Sequence, residues 1–311
     1  MPLLIDVGLF GLGLAVVIAS AERLVESTVG VSRHLGVSAF LLGVVAIGFD
    51  AENLAVGLAA GYEASAGIAL GTIVGSAMVA IALAFGVTAV VVPLEFEHVP
   101  RRILGLMGAA IVLLSGLALD GRLSRIDGVL LLMGYVLAVL LLWRWERRGI
   151  EVVPIAAVEE ADEASVGGRA LLWFVGALGG VVLGSELLLR GARPLIEALG
   201  WTDTLFGMTL LAFLVSVEEV ARELPAALRG RPDISFSNVV GSVLAFFCFN
   251  AGAIALLRPV PVGPTTRTFY LPVCGVTLLL IVGLLAAGRV PRWGGGLLLA
   301  LYVVFVTVPL L

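Results

Sequence analysis

Sliding the chain against itself by 166 residues brings two sets of polar landmarks into line without a gap. Glu52 falls on Glu218, Asn53 on Glu219, Gly75-Ser76 on Gly241-Ser242 and Pro93 on Pro259. Solenoid and propeller periods run to roughly 20–50 residues, so a repeat of this length is half of a protein. Any fold for this chain must therefore place two similar halves around polar residues that stand in otherwise apolar stretches.

Those stretches are too apolar for a water-soluble domain. Sixty per cent of the residues are hydrophobic and 14% charged, with 39 glycines, whereas soluble domains are nearer one half apolar and a quarter charged. Counting apolar runs of roughly 20 residues predicts an all-α membrane protein with ten transmembrane helices. They fall near 3–25, 36–61, 66–93, 102–119, 126–144, 168–189, 199–228, 233–257, 268–288 and 293–311. The first run has Asp6 rather than a basic residue before it and ends in Glu22-Arg23, so it is expected to be a span and not a cleaved signal.

The predicted organisation is a first five-helix repeat over 1–145, an acidic linker over 146–167 containing EEADEAS, and a second five-helix repeat over 168–311. An odd number of spans per half makes the second copy enter the membrane from the other side, so the repeats are expected to be inverted. Every basic residue is an arginine. Arg122, Arg125, Arg190, Arg193, Arg258 and Arg267 fall on one side, and all the others except the intramembrane Arg222 fall on the opposite side or in the linker. Since arginine is enriched on the cytoplasmic side, both termini are expected outside and the linker in the cytoplasm of a prokaryotic plasma membrane.

A charge at the bilayer centre costs about 2.5–3.5 kcal/mol, so Asp50, Glu52, Glu218, Glu219 and Glu223 need compensation. Bound cations, protons, or Arg222 one helical turn from Glu218 and Glu219 are the candidates. Asn53, Ser76, Ser216, Ser242, Thr72 and Asn238 add neutral oxygens. Each has a structural reading on its own, since a membrane serine often bonds its own helix; as matching sets in two halves they point to one shared midplane site. Glu22 and its counterpart Glu186 stand near helix ends, where anchoring at the interface is the expected role. Cys248 and Cys274 lie in apolar runs and read as packing residues. His34 and His98 sit near loop ends with no nucleophile at recognisable spacing, so no enzyme is expected. Nor is a cofactor, and no basic tract suggests nucleic acid. The partners expected are inorganic cations and the lipid bilayer.

Two halves, each with a GxT(I/V)xAxGTSxPE-like segment followed about eighteen residues later by GNxxGS, resemble the calcium/cation antiporter superfamily, which includes the sodium/calcium exchangers. Gly207-Met208-Thr209-Leu210-Leu211-Ala212, Ser216, Glu219 and Ser237-Asn238-Val239-Val240-Gly241-Ser242 carry the second copy of this pattern. Ala46-Ile47-Gly48 and Gly71-Thr72-Ile73-Val74-Gly75-Ser76 carry the first less fully. The resemblance implies a secondary active cation antiporter working by alternating access, with calcium, sodium or protons as transported ions. It also implies four ion-ligand positions, which here are Asn53, Ala80, Glu219 and Phe246. Only Glu219 is a carboxylate. Glu52 and Glu218 replace the family's prolines and Asp50 stands where a serine is expected, so these acids are candidate supplementary ligands or proton carriers.

The expected metal-site residues are thus Glu219, Glu218, Asp50, Glu52, Asn53, Ser76, Ser216 and Ser242. By resemblance the exchange is sodium for calcium. The altered ligands leave two alternatives open: monovalent-cation or cation/proton antiport, and a non-transporting scaffold or sensor in which Arg222 replaces the cation and Phe246 fills the cavity.

Overall fold

The computed structural model describes residues 2–34, 51–96, 99–146, 168–216, 218–230 and 232–311. These are almost entirely helical: α1 (Pro2–His34), α2 (Ala51–Tyr62), α3 (Ala66–Val91), α4 (Arg101–Leu117), α5 (Arg125–Glu146), α6 (Gly168–Leu199), α7 (Asp203–Ser216), α8 (Glu218–Leu228), α9 (232–257), α10 (Thr266–Ala286) and α11 (Arg292–Thr307). Seven stretches among the described residues are long and apolar enough to cross a membrane. They are α3, α4, α5, Val175–Leu199 of α6, Ser235–Leu257 of α9, α10 and α11. The other three expected spans look different. The apolar part of α1 is the shorter Leu4–Ser20. The second span is described only from α2 onward, and the seventh is described as α7 and α8 on either side of residue 217, which lies outside the described residues. The linker and Asp50 lie outside the described residues.

The 166-residue shift reappears in the contacts. Short strands β1 (Leu94–Glu95), β2 (Arg122–Leu123), β3 (Val260–Pro261) and β4 (Arg289–Val290) pair antiparallel as β1 with β4 and β2 with β3. Moving one pair along the repeat yields the other to within one residue. The end of α3 packs on α11 as the end of α9 packs on α5, and α1 lies along α6. Even the helix irregularities match: α3 contains a π-helical turn at Val79–Ala84 and α9 another at Ala245–Asn250. Each such turn inserts a residue into the helical ladder, a distortion frequent at functional sites.

Burial sorts the helices. α3 and α9 form the centre, with Ile73, Met78, Ile81, Phe85, Val239, Phe246 and Phe247 fully enclosed or nearly so. α5 instead shows Val129, Leu130, Met133, Val136, Leu137 and Leu140 on its outside, the apolar face a bilayer solvates. Where α3 meets α7, the backbones touch. A Cβ on Gly71 would stand 2.2 Å from the carbonyl carbon of Gly207, and one on Gly207 would stand 2.6 Å from the carbonyl oxygen of Gly67. Without a hydrophobic force between helices in lipid, this close approach of small residues supplies the van der Waals contact that holds them.

Several of the arginines assigned to one side from the sequence meet at one end of the bundle. Arg258 donates to the carbonyl of Tyr62 at 3.0 Å, Arg267 to that of Leu119 at 3.0 Å and Arg125 to that of Leu257 at 3.5 Å, while Arg193 pairs with Glu63 at 2.6 Å. The carbonyls at helix C-termini lack intrahelical donors, and cations are favoured there.

Candidate functional site

Two polar clusters occupy the interior where α2, α3, α7, α8 and α9 meet. The first is neutral and joins the halves. Asn53, in the first turn of α2 and fully buried, donates from Nδ2 to Ser216 Oγ at 2.9 Å, while Ser76 Oγ donates to Asn53 Oδ1 at 2.5 Å. A chain Ser76–Asn53–Ser216 therefore runs from α3 through α2 to the last residue of α7. An amide suits this role because it donates and accepts at once, which a carboxylate at position 53 could not do.

The second cluster carries the charge. Glu219, 1% exposed, accepts from Ser242 Oγ at 3.4 Å on Oε1 and from Asn238 Nδ2 on Oε2. The same Asn238 Nδ2 donates to Glu223 Oε1 at 3.0 Å, and Ser235 Oγ donates to the Glu223 backbone carbonyl at 3.0 Å. Glu219 and Glu223 sit four residues apart on α8 and so share a face, while Asn238 and Ser242 repeat that spacing on α9. Two carboxylates lean on one amide. Glu223 is fully buried, and its second oxygen, Oε2, has no hydrogen-bond partner.

The eight residues expected at the site fare differently. Asn53, Ser76 and Ser216 come together, and Glu219 and Ser242 come together. Glu52 is buried at 3% exposure at the start of α2. Glu218 begins α8, but its side chain and that of Arg222 are outside what the structure describes, as is Asp50 altogether. Among the described residues no three His, Cys, Asp or Glu side chains gather as a metal-holding group. Thr72 takes the structural role, donating to the Ala69 carbonyl at 2.8 Å. Glu186 is exposed and paired with Arg190 on the next turn.

Ala80 and Phe246, the two expected ligand positions without a polar side chain, are fully buried and occupy equivalent places in the two matching π turns. The pairing of Glu223 with Asn238 was not foreseen from sequence, although the four-residue step from Glu219 was a usable signal. So was Asn250, one helical turn past Phe246, whose buried Nδ2 has no partner.

A membrane-embedded bundle of pseudo-repeated halves with buried carboxylates, amides and hydroxyls at its centre has the build of an ion transporter. The comparisons agree. The chain matches the family described as sodium/calcium exchanger protein over residues 5–144 and 169–311, and it belongs to that family. It is 29% identical over 97% of its length to an uncharacterised membrane protein of Methanocaldococcus jannaschii, 97% of which is covered. To the sodium/calcium exchanger MaX1 of Methanosarcina acetivorans it is 26% identical, over 96% of each chain. Its fold is similar to that of the sodium-calcium exchanger NCX_Mj soaked with sodium and strontium, with a TM-score of 0.63 and 27% identity over 99% of each chain. The relatives named as exchangers are membrane transporters and not enzymes.

Proposed function

We propose that the protein is a secondary antiporter that carries an inorganic cation by alternating access around a site at mid-membrane, exchanging calcium against sodium. The observation that carries this reading is Glu219, a carboxylate enclosed at the centre of the bundle and oriented by Asn238 on one oxygen and Ser242 on the other. A structural residue has no need of a charge there, whereas a transported cation has. The antiporter relatives and the exchanger fold support the same class of activity. The architecture proposed with it is ten spans in two inverted repeats with both termini outside; the repeat-related strand pairs and matching π turns support the repeat, and the arginine bias supports the orientation.

A second reading, exchange of monovalent cations or protons, is favoured by Asn53, whose neutral amide bonded to Ser76 and Ser216 stands where a ligand charge was expected. Purified protein in liposomes separates the two. Calcium uptake driven by an outward sodium gradient supports the first; sodium or proton flux without calcium flux supports the second. No ion movement under any imposed gradient refutes both and leaves the scaffold reading, with Arg222 as counter-charge.

A further inference from the structure

Glu223 has no role in the ligand set expected from sequence. It is fully buried four residues beyond Glu219, shares the Asn238 amide with it, and keeps Oε2 without a partner. Two carboxylate oxygens within hydrogen-bonding distance of one nitrogen lie around a common point. In the structure that point holds the NH2 group of an amide, which carries only a partial positive charge, and Glu223 Oε2 beside it is left without a donor. Ser242 reaches the far oxygen of Glu219, and the Ser235 hydroxyl is engaged with backbone.

We infer that Glu219 and Glu223, with Asn238 and Ser242, form a binding site for one divalent cation of calcium's class, extended by Glu223 one helical turn along α8 beyond the place the motif marks. Half a turn of the Asn238 amide about its last bond replaces the NH2 group by Oδ1 and turns a donor into a ligand. The four side chains then offer six oxygens: two from each glutamate, one amide and one hydroxyl. Calcium takes six to eight oxygens, typically including several carboxylates. Two negative charges also cancel a divalent ion, so the loaded site is neutral. The carboxylates missing at Asn53, Ala80 and Phe246 are thereby compensated from a single half of the protein, on two adjacent helices.

This rests on the antiporter reading, and the test keeps the two apart. Thermal stability of the purified protein in detergent is measured with and without calcium, beside calcium uptake into sodium-loaded liposomes. Calcium should stabilise the wild type and Glu186→Gln alike. Glu223→Gln should weaken the calcium concentration giving half-maximal stabilisation by tenfold or more and lower uptake in parallel. Should Glu223→Gln fail to fold, Asn238→Asp serves instead: it adds a ligand charge and should increase the calcium-induced stabilisation above that of the wild type. Wild-type calcium response in Glu223→Gln, or an unchanged response in a folded Asn238→Asp, overturns the site while leaving antiport standing. A wild type that transports sodium or protons but shows neither calcium stabilisation nor calcium uptake also overturns it. A wild type moving no ion removes both proposals.

Discussion

Replacing Glu219 by Gln tests the proposed function most directly, because shape is kept and charge removed. The local cost to folding is small. The Gln carbonyl oxygen can accept from either Asn238 or Ser242, which leaves one former donor facing an NH2 group, a loss of about 1–3 kcal/mol. Against that, deleting a charge at the centre of a membrane relieves about 2.5–3.5 kcal/mol, so folded yield should stay near that of the parent. The cost to the ion is large. A unit charge acting on a monovalent ion across about 4 Å is worth about 4 kcal/mol at an effective dielectric of about 20, and more on a divalent ion. That corresponds to a loss of about a thousandfold in affinity. Calcium uptake into sodium-loaded liposomes should fall to background at calcium concentrations that saturate the parent. Transport at the parental rate and apparent affinity, with the protein folded, would refute the placement of the ion at Glu219.

Other outcomes follow from the same geometry. In a background with Cys248 and Cys274 changed to Ala, single cysteines at Glu160 and Asp203 should label from opposite sides of the membrane, Glu160 from the cytoplasm; same-side labelling removes the inverted repeat. Gly71→Val should abolish folded protein as judged by size exclusion, since the first added carbon would stand 2.2 Å from the Gly207 backbone; a monodisperse, active Gly71→Val would disprove that contact. Asn53→Asp puts a second-half-independent charge beside Ser76 and Ser216. Calcium affinity should rise, by up to the about 4 kcal/mol that a unit charge supplies at about 4 Å, read from the concentration dependence of uptake, while folded yield falls because the new charge costs about 2.5–3.5 kcal/mol to insert. Protons compete with cations for the carboxylates of Glu219 and Glu223, so uptake should decline as the medium is taken from about pH 7 to about pH 4, a window that reaches the ordinary carboxyl range; uptake that stays flat to the acid end would speak against carboxylate ligands.

Much of the architecture was legible because it is written in long periods. Glu52 over Glu218 and Pro93 over Pro259 marked the repeat, and the apolar runs near 66–93 and 233–257 marked the two central helices. The π turns at Val79–Ala84 and Ala245–Asn250 were not legible, since VAIALA and AFFCFN share almost nothing in composition; an inserted residue in a ladder is set by tertiary packing. Among single residues, the reading of Glu219 as buried followed from its apolar surroundings, whereas the hydroxyl of Thr72 turned to its own helix. Spacing along one helix showed that Glu219 and Glu223 share a face. That Asn238 stands opposite both depended on the angle between α8 and α9, which no local pattern encodes.

The distribution of charge between the halves bears on how such a protein can move. If both repeats placed carboxylates among the ion's ligands, a bound cation would itself clamp the halves together and its departure would leave two facing charges to repel. Here the described contact between halves at the site is neutral, Asn53 to Ser216, and a buried neutral hydrogen bond contributes about 0.5–1.5 kcal/mol net. Glu219, Glu223, Asn238 and Ser242 all belong to the second half. On the proposed reading the ion therefore travels with α8 and α9 as one body, and the Asn53–Ser216 bond, at the end of α7 next to α8, is a contact that has to open if α7 moves with those helices against α2 and α3. A bond of that size is weak enough to break on each cycle without the binding energy of the ion. Removing it with Ser216→Ala should accordingly change the rate of exchange more than the affinity for the cation, a separation that steady-state uptake at varied calcium can resolve.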